Sequence, residues 1–259
     1  MQELWGKLKT GLQQYCTDNG FNKIILGLSG GLDSAICAVL AADVLGGENV
    51  TALMMKTRYT SLLSLKIARE IAELNGLIYQ ELDIEPLVKV QTAFLQKAFN
   101  EDVKGIVTEN LQARLRGQIL MAYSNQQGGL VLASGNKSEI YTGYCTLYGD
   151  TCGGLAPIGN VYKTDIFKLA KWRNTLSYVL PNEVITRAPS AELAEGQIDE
   201  NTLPPYSVLD EILKLLIDKK LSLSEVVQAG FDKETVERVD KLIKRSCFKR
   251  KQMAQKIEL

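Results

Sequence analysis

The apolar positions of the chain recur with two periods, and the periods alternate. Leu4, Trp5, Leu8, Leu12 and Tyr15 stand three to four apart, which predicts an amphipathic helix over 2–19. IILGL (24–28) is a short unbroken apolar run of the kind that fills a buried strand, and LDSAICAVLAADVL (32–45) has the length of a helix, stopped by Gly46-Gly47. VTALMM (50–55) predicts a second strand. SLKIAREIAELNG (64–76) predicts a helix closed by Asn75-Gly76, LIYQELDI (77–84) a third strand, and a mostly helical stretch runs on to about residue 126. GLVLAS (129–134) reads as a fourth strand that ends in the polar segment GNKSE.

Short apolar strands separated by helices imply an α/β domain: a doubly wound, mostly parallel sheet with helices on both faces. Ligands of such sheets sit beyond the carboxyl ends of the strands, so the loops after residues 28, 55 and 134 should share one crevice. The α/β core is expected over about 20–180. From about residue 185 the texture turns polar and proline-bearing (ITRAPSAELAEGQIDENTLPPYSVLD), which predicts a mobile loop over about 185–210. A helical segment with a basic end should occupy 205–259, all within one domain over 1–259.

The turn between the first strand and its helix, SGGLDS (29–34), sets a problem. Adjacent glycines there aim backbone N–H groups at an anion, yet Asp33 lies in the same turn. Two like charges about 4 Å apart repel by ~1 kcal/mol in water and ~4 kcal/mol at an effective dielectric near 20. Either no phosphate binds, and Asp33 complements the helix dipole, or a cation stands between the phosphate and Asp33. The turn is neither a Walker A loop nor GxGxxG.

Composition narrows the chemistry. None of the 259 residues is histidine, which removes Ser-His-Asp and Cys-His catalysis and HExxH zinc sites. Oxygen ligands without imidazole favour magnesium over zinc. Thirty basic and thirty acidic side chains argue against a general nucleic-acid binder. No apolar run is long enough to span a membrane, and MQELWGKLKT does not read as a secretory signal. Five scattered cysteines without a CxxC pair fit reduced thiols in a cytoplasmic protein.

SGGxDS directly after a buried strand resembles the loop of the N-type ATP pyrophosphatases, which split ATP between its α- and β-phosphates. ASGNKSEIYTGYCTLYGDTCGGLAPIGNVYKTDIFKLAKWRN (133–174), with TENLQARLRG (108–117) and PSAELAEGQIDENTLPPYSVLD (189–210), resembles the NAD synthetases, most closely the synthetase half of the glutamine-dependent enzymes. The resemblance spans roughly residues 20–252 and implies an adenine nucleotide alpha hydrolase-like fold. It implies a ligase that adenylylates the nicotinate carboxylate of deamido-NAD with ATP and magnesium, then replaces AMP with ammonia.

Residue by residue, the resemblance places ATP on Ser29, Gly30, Gly31, Asp33, Ser34, Lys163 and Ser190, and its base near Tyr59. It places magnesium on Asp33 and Glu139, and deamido-NAD on Asn110, Arg114 and Asp150. Asp33, Lys163 and Asp150 are the expected catalytic groups, Asp150 by orienting ammonia or taking a proton from ammonium. Plainer readings stand beside these. Glu139 could be a solvated loop carboxylate, Lys163 an exposed lysine just before a helix over 164–172, and Ser190 the N-cap of a helix starting at AEL. Asn110, Arg114 and Arg116 lie at i, i+4 and i+6 of a predicted helix, so only two of the three can share a face. The terminal CFKRKQ (247–252) is either a closing basic segment or a solvated tail. The resemblance also implies a homodimer. It leaves open whether ammonia is used directly, comes from a separate glutaminase, or comes from a missing glutaminase half from which this chain is excised, since 259 residues leave no room for a glutaminase domain. A GMP synthetase domain, a tRNA-modifying enzyme and a non-catalytic adenine-nucleotide sensor are the alternatives.

Overall fold

Strands β1 (Ile24–Gly27), β2 (Val50–Lys56), β3 (Ile78–Asp83) and β4 (Leu130–Val131) form one sheet in the order β3-β2-β1-β4. Every pairing is parallel, with Ile24 opposite both Val50 and Leu130. The computed structural model describes the backbone of residues 1–259 and every side chain except that of Glu200.

Because strand side chains alternate, each buried strand feeds two cores. Ile24, Leu26, Ala52, Met54, Leu130 and Leu132 face one layer, made with α1 (Gln2–Asp18), α2 (Leu32–Leu45) and α3 (Leu62–Leu74). Ile25, Leu53, Met55 and Val131 face the other, made with α4 (Glu85–Phe99) and α5 (Ile106–Gln127). The doubly wound α/β sheet expected from the sequence is the one that forms. α2 is the most enclosed helix, with Ala35 to Ala41 all at 0% exposure. Its apolar residues therefore run round the whole helix instead of forming a stripe.

Beyond the sheet come α6 (Lys137–Thr142), α7 (Lys163–Asn174) and α8 (Asn182–Thr186). α7 joins the first layer, where Arg173 and Trp5 both donate to Asp43 and so tie α7, α1 and α2 together. Helices α9 (Tyr206–Leu213), α10 (Leu223–Gln228), α11 (Lys233–Arg245) and α12 (Cys247–Arg250) follow. α9 to α11 pack round a separate cluster that includes Leu209, Ile212, Val226, Val236 and Val239.

The structure differs from expectation at the fourth strand. β4 is two residues long, and Leu132 continues as an isolated bridge to Leu155. Leu155–Ala156 (β5) pairs in parallel with Gln255–Lys256 (β6), which returns the C-terminal end to the sheet side of the molecule.

The chain leaves β1 toward β2 and β3 and then returns to β4 on the other side of β1. That reversal is a topological switch point, and a crevice opens at the carboxyl ends of β1 and β4.

Candidate active site

The crevice is a cavity of about 560 Å³, within the range of small-molecule sites. Its floor is the turn after β1. Gly30 has φ +77° and passes so close to α3 that a Cβ would stand 2.5 Å from Ser64 O, so only glycine fits. Ser29 Oγ accepts the Gly31 N–H and Ser34 Oγ donates to Gly31 O, so both hydroxyls brace the turn from inside. Gly31 is the N-cap of α2 and Asp33 lies in its first turn.

Across the switch point, Asn136 and Glu139 form a capping box: Asn136 Oδ1 accepts the Glu139 N–H, and Glu139 Oε2 accepts the Asn136 N–H. This fixes Glu139 toward the cavity, so it is not a solvated loop carboxylate. Lys163 is not an exposed lysine ahead of a helix either. It is the first residue of α7, 3% exposed, and its Nζ pairs with Asp33 Oδ2 and lies 3.6 Å from Glu139 Oε1. A cation at a helix N-terminus opposes the dipole; two carboxylates from other elements offset it here.

With both carboxylates ionised, the cluster carries one excess negative charge, which a bound cation would offset. Burial, and then the neighbouring Asp33, push the Glu139 carboxyl well above its ordinary value, with Lys163 opposing. Burial works against the Lys163 ammonium, but Asp33 and Glu139 outweigh it and hold its pKa above the usual lysine value. Asp33 Oδ1 is buried without a hydrogen-bond partner. Among the described residues no group of three or more His, Cys, Asp or Glu is placed to hold a metal. Two carboxylates with an unused oxygen and surplus negative charge fit magnesium that takes its remaining ligands from water and phosphate.

Asn110 lines the cavity and accepts from Thr146 Oγ1 at 2.6 Å. Asp150 stands at the cavity edge, with Oδ1 accepting the Thr146 N–H. Although the residue has exposed surface, its carboxyl is turned into the 146–150 loop. Burial there pushes it up to about 6 against the backbone N–H donors. Ser190 also lines the cavity, but no helix follows it. Its Oγ instead donates to Gln197 O and accepts the Glu192 N–H, closing a loop on itself. Two expected residues are not brought in. Tyr59 is 37% exposed and outside the lining, and Arg114 is exposed, with Nε donating to Leu147 O. The helical phase decides this: Asn110, Ala113, Arg116 and Leu120 of α5 face the cavity and Arg114 does not. Lys249 of CFKRKQ is no solvated tail residue, since it lines the cavity and donates to Gly143 O and Cys145 O.

Several polar residues that no sequence motif singles out also shape the site. Asp210, at 0% exposure, accepts from Ser138 Oγ and from the Thr164 N–H, while Ser138 Oγ accepts the Lys163 N–H. It thereby locks the backbone of both Glu139 and Lys163. Its signal was present: in YSVLDEIL, Asp210 falls on the apolar face with Tyr206 and Leu213. Asp199 accepts from Tyr206 Oη. Glu192, at φ +48°, accepts from Ser61 Oγ, Ser64 Oγ and Arg187 Nη2 and so pins the segment above the cavity.

A family profile described as NAD synthase matches residues 4–253. The chain belongs to the NAD synthase family. It is 49% identical over 252 residues to a glutamine-dependent NAD(+) synthetase of Xanthomonas campestris pv. campestris (strain 8004), covering 96% of this chain and 46% of that protein. The chain spans about half the length of the curated relatives it matches. It also superposes on the NMN synthetase of Francisella tularensis (TM-score 0.81, 30% identity, 96% of this chain and 95% of that one). The NH3-dependent NAD synthetase of Campylobacter jejuni subsp. jejuni NCTC 11168, in complex with the nitrate ion, matches with a TM-score of 0.78 and 27% identity over 99% of this chain and 98% of that one. These similarities place the chain in the adenine nucleotide alpha hydrolase-like fold expected from its motifs, in a family of carbon–nitrogen ligases.

Proposed function

We propose that the chain is an NAD synthetase: it uses ATP to activate the nicotinate carboxylate of deamido-NAD and amidates it with ammonia, releasing AMP and pyrophosphate. The observation that carries this reading is the gathering of Asp33, Glu139 and Lys163 beside the glycine turn at the switch point. A turn that aims N–H groups at phosphate, yet holds a carboxylate with a bare oxygen, suits a nucleotide that arrives with a divalent cation.

Asp33 and Glu139 would hold magnesium, which when bound offsets charge on the phosphates. The backbone of Ser29, Gly30 and Gly31, braced by Ser34, binds the β- and γ-phosphates. Lys163 stabilises charge building on the departing pyrophosphate, and Ser190 meets the phosphates from the overlying segment. The substrate carboxylate attacks the α-phosphorus and pyrophosphate leaves with the bonding electrons. Ammonia then attacks the acyl carbon and expels AMP. No protein nucleophile is needed; positioning supplies most of the rate. Asp150, poised near 6 by burial, takes the proton from ammonium, and Asn110 orients the dinucleotide.

Leu87, Val90 and Phe94 form an exposed apolar stripe at i, i+3 and i+7 of α4, with Val90 68% and Phe94 70% exposed. The stripe supports a homodimer. Only in such a dimer does exposed Arg114 serve as a deamido-NAD contact, near the subunit boundary. Tyr59 stays an adenine contact only if nucleotide draws its loop inward. Similarity to an NH3-dependent NAD synthetase supports ammonia as the nitrogen donor, and similarity to glutamine-dependent enzymes supports a glutaminase as its source. Five unpaired cysteines support a cytoplasmic setting. Among the described residues no helix is long and apolar enough to cross a membrane.

Product identification tests the reading. With Mg-ATP, deamido-NAD and ammonium, the expected products are NAD, AMP and pyrophosphate in equal amounts. ADP with orthophosphate would sink it, and ATP binding without turnover would favour a sensor. Turnover of xanthylate in place of deamido-NAD would favour a GMP synthetase domain.

A further inference from the structure

Arg116 is a cation with a largely enclosed guanidinium and no ion-pair partner among the described residues; only Glu192, beyond ion-pair distance, acts on its charge. It projects from α5 into the cavity wall at the carboxyl end of β2, where Nε donates to Met55 O at 3.1 Å. That is the only hydrogen bond its guanidinium makes among the described residues. Nη1 is buried with no partner, and no carboxylate lies within ion-pair distance among the described residues. The other cavity cations are occupied. Lys163 pairs with Asp33 and Glu139, Arg187 pairs with Glu192, and Lys249 donates to two carbonyls.

An arginine kept only to join α5 to β2 would need one donor, which a neutral side chain can supply. Enclosing a guanidinium without an ion-pair partner, with Glu192 only partly offsetting the lost hydration, instead costs stability. Burial lowers the Arg116 pKa to about 10, so the group is still protonated at neutral pH. The structure therefore carries a charged, planar fork with unused donors facing a 560 Å³ cavity. Such a fork matches phosphate geometry, and the neighbouring strand end is that of β1, whose turn is built for phosphate.

We infer that Arg116 is a binding residue for a phosphoryl group of a nucleotide held in the cavity, and that the empty protein bears the cost of its unpaired charge until that group arrives. This deepens the nucleotide reading given above and rests on it. The phosphoryl group has two possible sources, ATP and the nicotinate dinucleotide.

The test compares wild type with Arg116→Met, which keeps the stem and deletes the charge, and Arg116→Lys, which keeps the charge and deletes the fork. Melting temperature without ligand and calorimetric affinity for Mg-ATP and for deamido-NAD are measured on each. Expected is an unliganded Arg116→Met protein that melts no lower than wild type. Its affinity for one of the two nucleotides should fall by roughly 10- to 100-fold, the range for a charged hydrogen bond, with part of the loss recovered in Arg116→Lys. The nucleotide that weakens identifies the source. Wild-type affinity for both nucleotides in Arg116→Met overturns the inference. So does a melting temperature lowered equally in both variants with no ligand-specific loss. If Arg116→Met does not fold, Arg116→Lys alone decides: several-fold weaker binding of one nucleotide supports the inference and unchanged binding of both overturns it. If wild type binds neither nucleotide, the functional reading fails, and pyrophosphate binding compared across the same variants decides the role of Arg116.

Discussion

The turn 28–34 and the segment 187–202 face each other across one cavity and are held by opposite means. The turn is clamped from behind by apolar packing: Leu28 and Ala35 to Ala41 are fully buried, and Gly30 lies against the backbone of α3. The segment is held by polar ties. Glu192 reaches Ser61, Ser64 and Arg187, Gln112 donates to Leu193 O, and the Asp199 N–H bonds back to Pro189 O. Burial fixes the turn in every state of the protein, whereas hydrogen bonds to charged groups exchange readily with water once one is broken. A floor fixed by packing under a roof held by polar ties suits the proposed reaction, whose acyl-adenylate must be shielded from water and whose products must leave.

The sharpest way to break this contrast is at the floor's chemistry. Asp33→Ala and Glu139→Ala should each lower AMP formation by roughly 10²–10³-fold or more while circular dichroism stays that of wild type. Full activity in either variant would remove the metal assignment. Next comes the floor's geometry. Gly30→Ala forces a Cβ to 2.5 Å from Ser64 O at φ +77°, which should cost about 1–3 kcal/mol of global stability in a denaturant melt. The roof should respond differently. Glu192→Gln is expected to raise amide exchange across 188–199 by roughly 10-fold or more, from lost charged hydrogen bonds, with little change in global melting temperature. A global loss as large as that of Gly30→Ala would mean that the two regions are one cooperative unit. The smallest effect is at Asp150. Its carboxyl, held near 6 against about 3.9 in an unfolded chain, binds a proton more tightly in the folded state. Asp150 should therefore make stability fall as pH rises from about 4 to 6, with partial solvent access keeping the slope shallow. Asp150→Asn should remove that slope in pH-dependent melts and flatten the rise of activity through pH 6.

The same contrast explains what could be read from the sequence. The floor was legible because its signals are local: an apolar run, two glycines, then a helix, with α2 ending at Leu45 as expected. The capping-box spacing of Asn136 and Glu139 was likewise there to read. The roof was visible only as a polar, proline-bearing stretch, because Glu192 and Arg187 take Ser61 and Ser64 of a distant segment as partners and their own pairing spans an irregular loop. Ser190 reads locally as a helix cap, yet Gln197 captures its hydroxyl. On α5 the choice between Arg114 and Arg116 depended on helix phase relative to a cavity, which spacing alone does not set. The β5–β6 pairing joins two residues to two others a hundred positions away, too little sequence for any periodic signal.

The most direct test is a crystal of the protein grown with ATP and manganese in place of magnesium, with anomalous scattering measured at the manganese edge. A peak is predicted between the Asp33 and Glu139 carboxylates, in contact with phosphate oxygens, with Lys163 moved from Asp33 to the nucleotide. Bound nucleotide with no peak there, and Lys163 still paired to Asp33, would contradict it.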